Sequence, residues 1–147
     1  MNTNKCLRLL RVTSILIAGI VAIATVGCGR GTSPVKGKLV FADNQEAVTG
    51  LDQFVITMES AEMKLSATGI IGPDGTFSVS TFEEGDGAMP GTYRVVITPP
   101  IASLTSEGPI PKPIIDPSYS KLDTSKLEVK IEPGKNELVL EVERARP

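Results

Sequence analysis

From Val35 to Glu143 the chain repeats one pattern: apolar residues at alternate positions, in short runs broken by polar turns. A period of two puts successive side chains on opposite faces of an extended backbone, so each run predicts a strand with one face to bury. Seven runs read this way. Val35, Leu39 and Phe41 share a face over 35–41, with Gly37 between them; Phe54, Ile56 and Met58 do so over 54–59; Leu65, Ala67 and Ile70 over 64–71. Phe77 and Val79 follow over 76–82, Tyr93, Val95 and Ile97 over 91–98, Leu127, Val129 and Ile131 over 127–132, and Leu138, Leu140 and Val142 over 137–143. Asp43-Asn44-Gln45-Glu46 and Gly72-Pro73-Asp74-Gly75 carry turn chemistry, and Pro133-Gly134-Lys135-Asn136 reads as a hairpin loop. Strands with one apolar face each need a second sheet to cover them. The expected fold is therefore all-β, a seven-stranded two-sheet β-sandwich without a long helix.

The first 27 residues follow another rule. Lys5, Arg8 and Arg11 precede the apolar run 12–26, which ends in Gly27 before Cys28. A basic start, an apolar middle and a small-residue end are the parts of a secretory signal. Fifteen residues of helix at ~1.5 Å each span about 22 Å, short of the roughly 30 Å hydrocarbon core, so a cleaved leader is expected rather than a retained membrane helix. Thr25-Val26-Gly27-Cys28 resembles the bacterial lipobox, with Thr25 where Leu is usual. The resemblance implies that the Cys28 thiol takes a diacylglyceryl group, that a peptidase cuts before it, and that the new amine is acylated, palmitate being the typical label. Two or more chains hold firmly where one holds marginally. Gly29 rather than Asp after the cysteine implies the outer membrane, where the cell has one. The expected plan is a signal peptide over 1–27, a lipidated flexible tether over 28–34, the sandwich over 35–143 and a short tail over 144–147.

Losing the three basic residues of the leader leaves twelve basic against seventeen acidic residues, a net charge of −5. Nucleic-acid binding demands clustered Lys and Arg, so that class of partner is not expected, and anionic lipid gains no electrostatic help. Cys6 departs with the leader, so Cys28 has no internal disulfide partner.

The order of turns and strands resembles the carboxypeptidase regulatory-like family, a transthyretin-like (prealbumin-like) sandwich. The likeness rests on Val35-Lys36-Gly37-Lys38-Leu39 for its first strand and on Gly72-Pro73-Asp74-Gly75-Thr76-Phe77 for its Asp-Gly-x-Phe turn. Pro90-Gly91-Thr92-Tyr93-Arg94-Val95 matches a later strand, and Pro133-Gly134-Lys135-Asn136 its last hairpin. The resemblance implies an accessory or adhesion-type module and no activity.

Chemistry is sparse. The chain has no His, which removes the usual general base, the commonest metal ligand and any Ser-His-Asp site. With Cys28 capped by lipid no thiol nucleophile remains, and neither a cofactor nor a small-molecule substrate is expected. Glu83, Glu84 and Asp86 form the densest acidic group and the one candidate for Ca²⁺; without an EF-hand pattern they read more simply as a solvated loop. Of the two tyrosines, Tyr93 falls on an apolar strand face and Tyr119 in the long Pro-rich loop 101–124, where it is the candidate binding aromatic. That loop reads as a crossover between sheets or as a preordered docking segment for an envelope protein. The expected function is a non-enzymatic cell-envelope lipoprotein working by interaction or structure. The alternative is a carbohydrate-binding accessory domain, for which one exposed Tyr and no Trp make a thin platform.

Overall fold

The structure, a computed structural model, describes residues 31–100 and 112–146. The leader, Cys28 and the first part of the Pro-rich loop lie outside the described residues. Seven strands follow in order: β1 Val35–Phe41, β2 Val55–Ser60, β3 Leu65–Ile70, β4 Thr76–Ser78, β5 Gly91–Thr98, β6 Glu128–Ile131 and β7 Asn136–Val142. They form a sandwich of two sheets, β4-β1-β7 and β3-β2-β5-β6. β1 and β7 run parallel, and every other pairing within the sheets is antiparallel. Among the described residues the helical content is one 3₁₀ turn, Pro117–Ser120, capped by Asp116, whose side chain accepts from the Ser118 N–H at 2.9 Å.

The inner faces carry the predicted alternation. Leu39, Ile56, Met58, Ala67, Val79, Tyr93, Val95, Ile131 and Val142 are buried between the sheets, and each large one contributes about 1.5–3 kcal/mol by leaving water. Phe77 explains Gly37. The two are register partners on β4 and β1, and a Cβ at Gly37 would overlap the Phe77 ring. The glycine of the first strand and the aromatic after the Asp74-Gly75 turn are thus one contact, a ring laid over a glycine. Gly75 has φ +76°, and a Cβ there would meet the Val48 carbonyl oxygen at 2.5 Å, so the turn requires glycine both sterically and conformationally.

Several expectations need correction. Ile70 is not inward: it is 59% exposed, and Ile71 is buried in its place, because β3 keeps strict parity from Leu65 through Ala67 and Gly69. Val40 and Val96, on the expected solvent faces, are buried as well, flanked by Glu141 and Ala47 in one case and by Thr57 in the other. The fourth strand does not run to residue 82. β4 stops at Ser78, and the chain changes sheets: the Thr68 and Ser80 backbones exchange hydrogen bonds at 2.9 and 2.8 Å. Residues 133–136 do not make a hairpin. β6 and β7 lie in different sheets, so the segment arches across the sandwich. Asn136 holds the arch: its Nδ2 donates to the Glu132 and Gly134 carbonyls at 2.9 and 2.8 Å, and its Oδ1 accepts from the Glu132 N–H at 2.9 Å. A buried side chain here replaces the ladder a hairpin would have supplied.

Candidate functional site

The strand directions divide the molecule into two poles. At one pole the chain joins the fold at Ser33, whose N–H and C=O pair with Ala88 at 2.7 and 3.0 Å while its Oγ accepts from the Gly134 N–H at 3.2 Å. Gly87, with φ +86°, lets the 81–90 loop close against Ser33 and Pro34, since a Cβ there would collide with the Ser33 carbonyl. The expected tether therefore loses its last residues to the fold: Ser33 is 4% exposed and ordered by two loops. Nothing in the periodicity signals this, because Ser33 precedes the first apolar run.

The acidic loop belongs to this pole. Asp86 is committed inward, its Oδ1 accepting from the Thr81 N–H at 2.7 Å and its Oδ2 from the N–H groups of Phe82 and Glu83 at 3.0 and 3.2 Å. Thr81 in turn donates its hydroxyl to the Gly87 carbonyl at 2.8 Å, and the Gly85 N–H donates to Ser80 Oγ at 2.8 Å. This is a carboxylate whose oxygens are satisfied by backbone donors, the arrangement that caps a turn. Among the described residues no three His, Cys, Asp or Glu side chains come together in a way that could hold a metal ion, so Glu83, Glu84 and Asp86 are neighbours in sequence without forming a cage.

The opposite pole holds the described part of the Pro-rich loop. Residues 114–116 add a short antiparallel bridge to the end of β7: the Asp116 N–H donates to the Glu143 carbonyl at 3.0 Å and the Ala145 N–H to the Ile114 carbonyl at 3.1 Å. Tyr119 is half-buried against the core, and its hydroxyl accepts from the Glu143 N–H at 3.0 Å. The candidate binding aromatic thus secures the loop to β7 and keeps only part of its surface exposed. Tyr93 is 1% exposed; its hydroxyl donates to the Met89 carbonyl at 2.9 Å, and burial holds its pKa above the ordinary phenol value. Beside the loop, an apolar groove of about 470 Å³ is lined by Leu51, Phe54, Ile97, Pro99, Pro113 and Ile115. Arg144 stacks on Phe41, 3.5 Å from the ring centre, and reaches Asp43 at 3.0 Å, fixing the C-terminal end to the β1 turn.

A second concavity, of about 720 Å³, lies on the outer face of the four-stranded sheet. Its floor includes a row in register, Ser66, Glu59, Arg94 and Glu128, one residue from each strand. In the sequence these residues are ordinary outward positions; only strand order sets an Arg between two Glu. The row can hydrogen-bond a polar surface but carries no aromatic on which a sugar ring could stack.

No protein-family model matches the chain, and no curated protein matches it. Among solved structures it is similar to the crystal structure of a DUF3823 family protein from Parabacteroides merdae ATCC 43184, at 20% identity and a TM-score of 0.42. The likeness covers 76% of this chain and 46% of that one, so the chain spans under half of its neighbour's length.

Proposed function

We infer that the chain is an exported lipoprotein, anchored through Cys28 and carrying one transthyretin-like, carboxypeptidase regulatory-like sandwich that acts without catalysis, by interaction. The observation that carries this reading is the sequence from Lys5 to Cys28: basic start, apolar run, small residues, cysteine. The position of Ser33 agrees with it. Only residues 29–32 separate Cys28 from the first locked residue, so at ~3.5 Å per residue the tether reaches about 14 Å and keeps one pole at the lipid surface. Residues 114–119 of the Pro-rich loop then face away from the membrane, toward partners. Glycan recognition has less support, since Tyr93 is enclosed and Tyr119 is packed against the core.

The test is fatty-acid labelling in the native host. Labelled palmitate should enter the wild-type chain and not the Cys28→Ser variant, and the variant should leave the membrane fraction. Equal labelling of both would overturn the anchor. A glycan array probed with the labelled protein tests the alternative, which requires selective, saturable binding to a defined sugar.

A further inference from the structure

The four edge strands of the sandwich are not equally finished. β4 has three residues before its chain crosses to pair with β3, so one flank is stitched shut. On the other flank stand β6 and β7. β6 has four residues, and the next amide and carbonyl along its outer edge, those of Glu132, are taken by Asn136. β7 has seven residues, with no proline and no bulge against β1.

Hydrogen-bond parity tells which β7 groups are open. Asn136 donates its N–H to the Pro34 carbonyl and Val142 offers its carbonyl to the Ala42 N–H, so the even-numbered residues face β1. The odd-numbered ones face outward. Glu143 obeys this rule, receiving Asp116 and donating to Tyr119 on the outer side. Among the described residues nothing pairs with the outward N–H and C=O groups of Glu137, Val139 and Glu141. Their side chains lie on the solvent face, Val139 54% exposed between two carboxylates: Glu137, paired with Lys135 at 2.6 Å and beside Lys36 of β1, and Glu141, which accepts from Gln45 Nε2 at 3.0 Å. Just inside this edge, Leu127, Val129 and Leu138 are only half-buried, leaving an apolar seam between the two sheets.

We propose that the outer edge of β7 is a docking site for an extended, basic strand of another protein, which adds to the sheet antiparallel to β7. The proposal rests on the reading of the chain as an interaction module and names the chemistry of its partner. Opposite Glu137, Val139 and Glu141 the partner places Lys or Arg, an apolar residue, and Lys or Arg; its alternate apolar side chains enter the seam. Backbone pairing supplies affinity and the alternating side chains supply choice. A second copy of β7 does not fit. Antiparallel pairing centred on Val139 sets Glu137 against Glu141 twice, and like charges directly opposite destabilise a sheet. The same carboxylates that keep copies apart, as charged edges commonly do, select a cationic strand.

The test uses the full chain in detergent micelles and two capped peptides at low salt, Lys-Val-Val-Val-Lys and Glu-Val-Val-Val-Glu, followed by fluorescence anisotropy. The lysine peptide should bind at least about tenfold more tightly, the ratio that ~1.4 kcal/mol spread over two cross-strand pairs produces. Val139→Pro should abolish binding, because it removes an outward N–H while leaving every β1–β7 ladder bond in place. Should that variant unfold on its thermal scan, the double variant Glu137→Lys, Glu141→Lys decides: it should reverse the preference between the peptides. Equal affinities, no binding of either peptide, a folded Val139→Pro protein that still binds, or an unreversed preference each overturns the proposal. The lipid anchor is read separately, so palmitate labelling with no peptide binding removes the docking edge alone, and loss of labelling with intact binding removes the anchor alone.

Discussion

The two flanks of the sandwich solve one problem in opposite ways. Both must carry the chain from one sheet to the other. On the β3–β4 flank the crossing is continuous hydrogen bonding: Ile71 bridges Phe77, Gly72 donates to the Thr76 carbonyl at 2.8 Å, and Thr68 and Ser80 close the ladder. On the β6–β7 flank the crossing is an arch held by two side chains, the Asn136 amide and the Ser33 hydroxyl, and a long strand edge stays open beside it. The closed flank spends backbone groups on itself. The open one leaves them for something else, which is why a binding surface is to be sought there.

The comparison can be broken most severely at Phe77. It joins the closed flank to β1 by covering Gly37, so Phe77→Ala should cost roughly 3–5 kcal/mol in denaturant unfolding, the range for a buried Phe. Thr76→Ala, one residue away on the outer face, should cost under about 1 kcal/mol. Equal costs would mean that the strand's two faces are not distinguished. Next comes Asn136→Ala on the open flank. It strands the amide and carbonyl of Glu132 and should cost about 1–3 kcal/mol, with hydrogen exchange rising at Glu132 while Thr68 and Ser80 stay protected. Simultaneous loss of protection on both flanks would show that they unfold as one unit.

Acid separates the flanks more gently. The Thr76 hydroxyl and N–H hold the Asp74 carboxyl below its ordinary value of 3.8 on the closed flank. A depressed carboxylate pKa stabilises the fold at pH above the unfolded value and loses that contribution as pH falls through the folded one. The melting-temperature gap between wild type and Asp74→Asn should therefore be full at neutral pH and narrow below the carboxylate range; a pH-independent gap would contradict the linkage. The smallest effect is expected at the arch surface. Glu137 is also held low, first by its hydrogen bond from Lys135 and then by that side chain's charge, at 2.6 Å, but both side chains are exposed. Lys135→Ala should leave the melting temperature unchanged in physiological salt, and any shift should vanish as salt is raised.

Much of this fold is legible before any coordinates. Period two found all seven strands, and Tyr93 fell on the buried side because Val95 and Ile97 share its parity. The errors sit where parity was not followed or where neighbouring residues cover the outer face. Ile70 and Ile71 are adjacent apolar residues, and the parity of Leu65 and Ala67, carried through Gly69, puts Ile71 over the core, whereas Val40 and Val96 lie on the opposite parity and are buried by their neighbours all the same. The sites were less legible still. Asp86 reads as a possible cation ligand from composition, yet three backbone donors occupy it, and Tyr119 reads as a loop aromatic, yet it is fastened to Glu143.

The sequence alone determined what local chemistry can determine: strand number, the core-facing side of most strands, the glycine turn at Gly75, and the basic, apolar and small segments that precede Cys28. Those follow from side-chain alternation and backbone sterics within a few residues. Tertiary structure alone decided which strands became neighbours, and with that the parallel pairing of β1 with β7, the row of Glu59, Arg94 and Glu128, and the arch at Asn136. A strand's own residues carry the same alternation whether it ends in the middle of a sheet or at its rim. The open edge of β7 is therefore a property of sheet order, set by long-range packing that no local pattern encodes.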